Sequence, residues 1–152
     1  VIIGVISDTH GLLRPEALAA LRGVEHILHA GDVGDIAILD ALREIAPVTA
    51  IRGNVDTSGA CAELPATDVV ELGDKLFYLV HSVRDLDINP AVAGIAMVVS
   101  GHSHKASVQV RNGVVFFNPG SAGPRRFSLP VTVGFVTVED GVEASVLELQ
   151  VT

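Results

Sequence analysis

The chain has 152 residues, 49% of them hydrophobic, and a formal net charge of −8. That length suits one domain with a real core, and no apolar stretch reaches the ~18 residues that a membrane-spanning helix needs. With 10 Lys and Arg against 18 Asp and Glu, there is no broad basic face for duplex nucleic acid.

The opening "VIIGVIS" (1–7) is a β-branched run that reads as a strand buried on both faces. It has no basic residues before it and no small-residue cleavage site, so it is not read as a signal peptide. Residues 15–21 read as a short helix with Pro15 in its first turn. "HILHA" (26–30) is a second strand, Asp35 stands where it can cap the periodic segment 36–45, and "VTAI" (48–51) is a third strand. This β-α-β-α-β alternation predicts a parallel sheet with helices on its faces. A lone cysteine, Cys61, permits no internal disulfide, which fits a reducing cytoplasm. Residues 68–81 read as strand, Gly-Asp turn, strand, and Pro90 keeps 85–94 to a short helix or an irregular crossover. "IAMVVS" (95–100) is a strand, and Asn112-Gly113 and Asp140-Gly141 mark two hairpins. The expectation is one α/β domain over 1–152 with two sheets, a mostly parallel half followed by a mostly antiparallel half.

The polar residues fall at the strand ends. Asp8 and His10 follow the first strand, Asp32 the second, Asn54 and Asp56 the third. "KLFYLV" ends at His81, and "IAMVVS" runs into "GHSH" with His102 and His104. In open α/β sheets, ligands bind beyond the carboxyl ends of the strands. Asp8, His10, Asp32, Asn54, His81, His102 and His104 together make a metal-site inventory. Gly31, Gly53 and Gly101 each precede one of them, where the chain must turn sharply. Within Asp8-x-His10 and His102-x-His104, alternate residues point the same way if the backbone stays extended.

The motifs "DTH" (8–10), "GD" (31–32), "GN" (53–54), His81 and "GHSH" (101–104), in that order, resemble the calcineurin-like metallophosphoesterase family. The short length and "NPGS" (118–121) are similar to its small YfcE-like phosphodiesterase branch. The resemblance implies a two-sheet β-sandwich flanked by helices, and a hydrolase in which a hydroxide bridging two metal ions attacks a phosphate ester. It assigns Asp8, His10 and His104 to one ion and Asn54, His81 and His102 to the other, with Asp32 between them. Asp32, Asn54 and His81 then serve catalysis directly. Ligation by His, Asp and Asn without thiolate suits Mn, Fe, Zn or Ni, and Mn²⁺ is the expected ion. The ions dominate their surroundings, so an acidic protein can still hold a local anion site for a small phosphate ester.

Two departures stand out. Larger relatives carry His after the "GN" asparagine, where it protonates the leaving group; here it is Val55, so an alkoxide leaving group would need help from a metal, from water or from Asp56. Diesters with acidic leaving groups are therefore expected to react better than alkyl monoesters. Ser82 replaces a glycine found in many relatives, and a left-handed backbone there would cost about 1 kcal/mol. Of the remaining histidines, His26 reads as structural, and His29 as either a core residue or a support for a ligand. Arg125 is a candidate phosphate grip or a solvated loop residue. A retromer-subunit-like scaffold of the same fold should show eroded ligands, whereas all are present here; a phosphate-ester sensor without turnover would keep them. Oligomeric state is open, and the resemblance points to a homodimer or homotetramer.

Overall fold

A computed structural model describes residues 1–151. In chain order the elements are β1 (Ile2–Ile6), α1 (Pro15–Leu21), β2 (His26–His29), α2 (Ala37–Arg43), β3 (Val48–Ala50), α3 (Gly59–Ala62), β4 (Thr67–Leu72) and β5 (Lys75–Val80). A 3₁₀ turn (Val83–Asp85) follows, then β6 (Ile95–Val99), β7 (Ser107–Arg111), β8 (Val114–Asn118), β9 (Thr132–Val138) and β10 (Val142–Glu148). The strands form two five-stranded sheets, ordered β10-β9-β1-β2-β3 and β4-β5-β6-β8-β7.

Alternation along each strand divides the apolar residues between layers. Ile3 and Val5 of β1, Phe77 and Leu79 of β5, Met97 and Val99 of β6 and Phe117 of β8 fill the space between the sheets. On the outer face of the first sheet, Ile6 and Ile27 pack with Leu21 of α1 and with Leu39 and Leu42 of α2. Each fully buried Leu, Ile or Phe contributes roughly 1.5–3 kcal/mol. The outer face of the second sheet buries Tyr78, Val80 and Val98 under the irregular crossover, where Leu86 and Ile88 cover them. Among the described residues, no helix is long and apolar enough to cross a membrane.

The division into a parallel half and an antiparallel half needs correction. In the second sheet β5-β6 and β6-β8 are parallel, with antiparallel strands at each edge. The β9-β10 hairpin leaves that half and joins the first sheet, with β9 antiparallel to β1. Its inward residues Val136 and Val138 complete the inter-sheet core, which a place on the edge of the second sheet would not bury.

The turns follow their sequences unevenly. Gly73-Asp74 and Asn112-Gly113 have positive φ at both residues, as two-residue hairpins require. Among the described residues of the Asp140-Gly141 turn, neither is left-handed; Glu139 N–H donates to the Gly141 carbonyl at 3.1 Å. Asp35 lies one residue outside the α2 cap and accepts from Ala37 N–H at 3.0 Å. Ser82 is extended (φ −114°), so it carries no left-handed strain.

Candidate metal centre

Strands β1, β2 and β3 run parallel in one sheet, and β5 and β6 in the other. Their carboxyl ends meet at one edge of the sandwich. Asp8 N–H donates to the Gly31 carbonyl at 3.0 Å, His10 N–H to the Asp32 carbonyl at 2.9 Å, and Gly101 N–H to the His81 carbonyl at 2.9 Å. His102 N–H crosses between sheets to Asp8 Oδ2 at 3.1 Å.

The backbone at this edge is not extended. Asp8, His10, Asp32, His102 and His104 all have φ between 46° and 71°. The condition for simple alternation in Asp8-x-His10 and His102-x-His104 is therefore unmet. Left-handed non-glycine residues cost roughly 1–2 kcal/mol each, and such strain gathers at functional sites. Two glycines allow the close approach that results. A Cβ at Gly53 would overlap the Asp32 carboxylate, and one at Gly101 would overlap Ser7 Oγ and the Asp8 carboxylate.

Asp8 lies at the centre and is fully buried. Its Oδ2 accepts from Ser7 Oγ at 2.7 Å and from His102 N–H. Its Oδ1 has no hydrogen-bond partner, yet faces His104 Nε2 at 3.4 Å and the Nε2 atoms of His10 and His81 at 3.8 Å. Asp32 Oδ1 accepts from Val55 N–H at 3.0 Å, while Oδ2 lies 3.1 Å from His81 Nε2 and 3.5 Å from His10 Nε2. Among the described residues, two groups have donor atoms close enough to hold an ion: Asp8, His10 and His104, and Asp8, Asp32 and His81.

The electrostatics are unresolved without a cation. Burial pushes the Asp8 carboxyl above its usual range, against the Ser7 hydroxyl and the nearby imidazoles. Asp32 goes the other way: burial opposes ionisation, but His81 and the Val55 N–H outweigh it and hold the carboxyl below its usual range. Burial lowers His81's basicity, yet Asp32, the Ala30 carbonyl and Asp8 prevail and raise it. His81 Nδ1 sits 2.7 Å from the Ala30 carbonyl and therefore carries a proton. Nε2 is then the atom that faces the two carboxylates, and the same nitrogen is free to ligate a cation once the ring is neutral. His10 and His104 face each other Nε2 to Nε2 at 3.3 Å, which also sets nitrogen against nitrogen. A divalent cation among these atoms removes each conflict, and oxygen and neutral imidazole donors suit it. The residues fit a metal.

Of the seven sequence-predicted ligands, five belong to these groups. The other two are exposed and each lies beside His81. His102 is exposed, with its ring 5.3 Å from that of His81 and nearly perpendicular to it. Asn54 is exposed and lines a cavity of about 480 Å³ with His81, Arg52, Asp85 and Asp87.

Asp56 does not fit the role of a proton donor. Its buried carboxylate accepts from the backbone N–H groups of Val33, Gly34 and Gly53 at 2.9–3.0 Å. It ties the loop after β2 to the loop after β3. His29 is a support: its Nε2 meets Thr9 Oγ1 at 3.1 Å, and its Nδ1 accepts from Gly31 N–H at 3.1 Å. His26 meets Thr49 Oγ1 at 2.9 Å, away from the centre. Arg125 is exposed, and it is the charge of Arg126 that reaches His104, adding to the burial that lowers that imidazole's basicity.

Sequence reasoning passed over Asn118 and Ser121. Asn118 Nδ2 donates to the Gly101 carbonyl at 2.9 Å and to Ser103 Oγ at 3.1 Å, holding the "GHSH" loop. Ser121 Oγ donates to the Asp8 carbonyl at 3.1 Å. Their signal was present in "NPGS", which follows a strand as the ligand motifs do.

Residues 1–141 match the calcineurin-like phosphoesterase superfamily domain. A probable metallophosphoesterase of Methanocaldococcus jannaschii is 31% identical over 162 residues, covering 98% of this chain and 82% of the relative. Among solved structures, a novel archaeal phosphodiesterase superposes with a TM-score of 0.74 at 23% identity, over 97% of this chain and 100% of the other. Vps29 of Entamoeba histolytica in complex with Zn²⁺ does so with a TM-score of 0.73 at 22% identity, over 97% and 99%. At that identity, the structural likenesses establish the fold.

Proposed function

The chain belongs to the calcineurin-like phosphoesterase superfamily, and from that premise we propose that it is a dinuclear, Mn²⁺-dependent phosphodiesterase acting on small phosphate esters. The observation that carries this reading is Asp8 Oδ1, a buried carboxylate oxygen without a hydrogen bond, ringed by three imidazole nitrogens within 3.8 Å. In this reading Asp8, His10 and His104 hold one ion, and Asn54, His81 and His102 hold the other. Asp32 stands between them, with Oδ2 facing both His10 and His81. Metal bound by these residues would lower the pKa of a water and offset charge on the phosphoryl oxygens.

The chain's own residues supply order. Ser7 and His102 N–H fix the Asp8 carboxylate, Val55 N–H fixes that of Asp32, and the Ala30 carbonyl fixes the His81 ring. The preference for diesters rests on position 55. Val55 is 49% exposed and has no ionisable proton to give, and Asp56 is committed to three backbone donors, so good leaving groups are favoured.

The test is hydrolysis of bis(4-nitrophenyl) phosphate and 4-nitrophenyl phosphate by metal-stripped protein titrated with Mn²⁺. The expected result is turnover that rises with metal, saturates near two ions per chain, and is faster for the diester. Tight metal binding without turnover would replace the enzyme with a sensor. No metal binding would leave a scaffold, the reading that the fold shared with Vps29 supports.

A further inference from the structure

A cavity of about 490 Å³ opens beside His102 and is walled by Arg84 of the 3₁₀ turn, Gln109 and Arg111 of β7, and Phe116 of β8. Gln109 and Arg111 share one side of β7 because alternate residues of a strand do. Among the described residues, no Asp or Glu lines this cavity. In a chain with 18 acidic residues against 10 basic ones, that is a local inversion of charge. The cavity on the other flank of His81 sets Arg52 against Asp85 and Asp87. The arginine–carboxylate ion pair among the described residues joins Arg43 to Asp40 and involves neither Arg84 nor Arg111.

Arg111 is also held in place. Its Nη2 donates to Gln109 Oε1 at 2.8 Å, and its guanidinium carbon lies 5.3 Å from the Phe116 ring centroid. Stacking on an aromatic face orients the planar fork and leaves its other N–H groups free for an anion. Guanidinium groups pair with phosphate through parallel N–H donors.

We propose that this cavity is a specificity pocket for a second phosphate, so that preferred substrates are phosphate esters carrying a further phosphate group beside the scissile one. The proposal rests on the phosphoesterase reading above, with the scissile phosphate at the histidine cluster and His102 at the boundary between the two positions. Arg84 and Arg111 are the specificity-determining residues. Both are exposed, so their replacement leaves the core intact.

The experiment compares two 4-nitrophenyl phosphodiesters of thymidine that differ only in a 3′-phosphate, using Mn²⁺-loaded wild type, Arg84→Gln and Arg111→Gln. The readout is the ratio of kcat/KM for the phosphorylated probe to that for the plain one. A wild-type ratio of roughly ten or more, falling at least about fivefold in each variant and mainly through KM, is the expected result. A wild-type ratio near one, or a ratio that survives both substitutions, overturns the pocket. If neither probe turns over, it is the phosphoesterase reading that fails. Calorimetric titration with thymidine 3′,5′-bisphosphate then decides the pocket: binding at least about tenfold weaker in the variants upholds it, and equal or absent binding overturns it.

Discussion

Two hydrogen bonds decide the ionisation of His29. Thr9 Oγ1 gives its proton to the Val33 carbonyl at 2.9 Å, so His29 Nε2 must donate to Thr9. Its Nδ1 accepts from Gly31 N–H, which leaves no room for a second ring proton. Burial, relieved only partly by Asp56, lowers its pKa from 6.5 to about 4. The unfolded chain therefore binds a proton that the folded chain refuses. The stability this contributes is complete above pH 6.5 and is lost as pH falls toward 4. Between pH 7 and 4.5, wild type should lose about 2–3 kcal/mol more unfolding free energy than His29→Gln, read by urea titration of metal-free protein. Parallel losses in the two proteins would refute it. This device was only half legible in the sequence, because a histidine near a ligand motif does not say which of its nitrogens is engaged.

At the scale of elements, what holds the centre is the junction between a strand and the loop that follows. The loop after β6 passes over β1 so closely that Gly101 has no space for a side chain. Gly101→Ala should destabilise the fold by about 1–3 kcal/mol and weaken Mn²⁺ binding, since its methyl would displace the Asp8 carboxylate. Chemical denaturation and metal titration on the same variant check both, and full stability would show that the loop can yield. The strands were legible because short β-branched runs end in Gly and ligand-type residues. The left-handed backbone at Asp8, His10, Asp32, His102 and His104 was not, because Asp and His enter that region more readily than most residues but still in a small minority of positions, and no turn motif marks these. Asn54 and His102 read like the other ligands in sequence, yet are exposed where Asp8, Asp32, His81 and His104 are buried, a difference that the motifs do not encode.

At the scale of the whole molecule, the fold buries several groups whose charges suit a cation better than one another. A ligand that binds only the folded chain stabilises it by about 2.7 kcal/mol at a hundred times its Kd. For a domain of this size that raises Tm by roughly 5–10 °C, the expected difference between Mn²⁺-saturated and chelator-treated protein in a thermal melt. Coincident melts would mean that the centre is satisfied without metal. The sheet partners were beyond sequence reasoning for a related reason: each hairpin was visible by itself, but nothing local says which sheet receives β9 and β10. That placement has a consequence in time. β1 carries Asp8 on its carboxyl end, and its partner β9 is met only after more than a hundred intervening residues, as the pairing of Ile2 with Thr137 shows. Closing so long a loop is slow, so the pairing of β1 with β9 is expected to follow its pairing with β2, whose partners Ile3 and His26 are close in sequence.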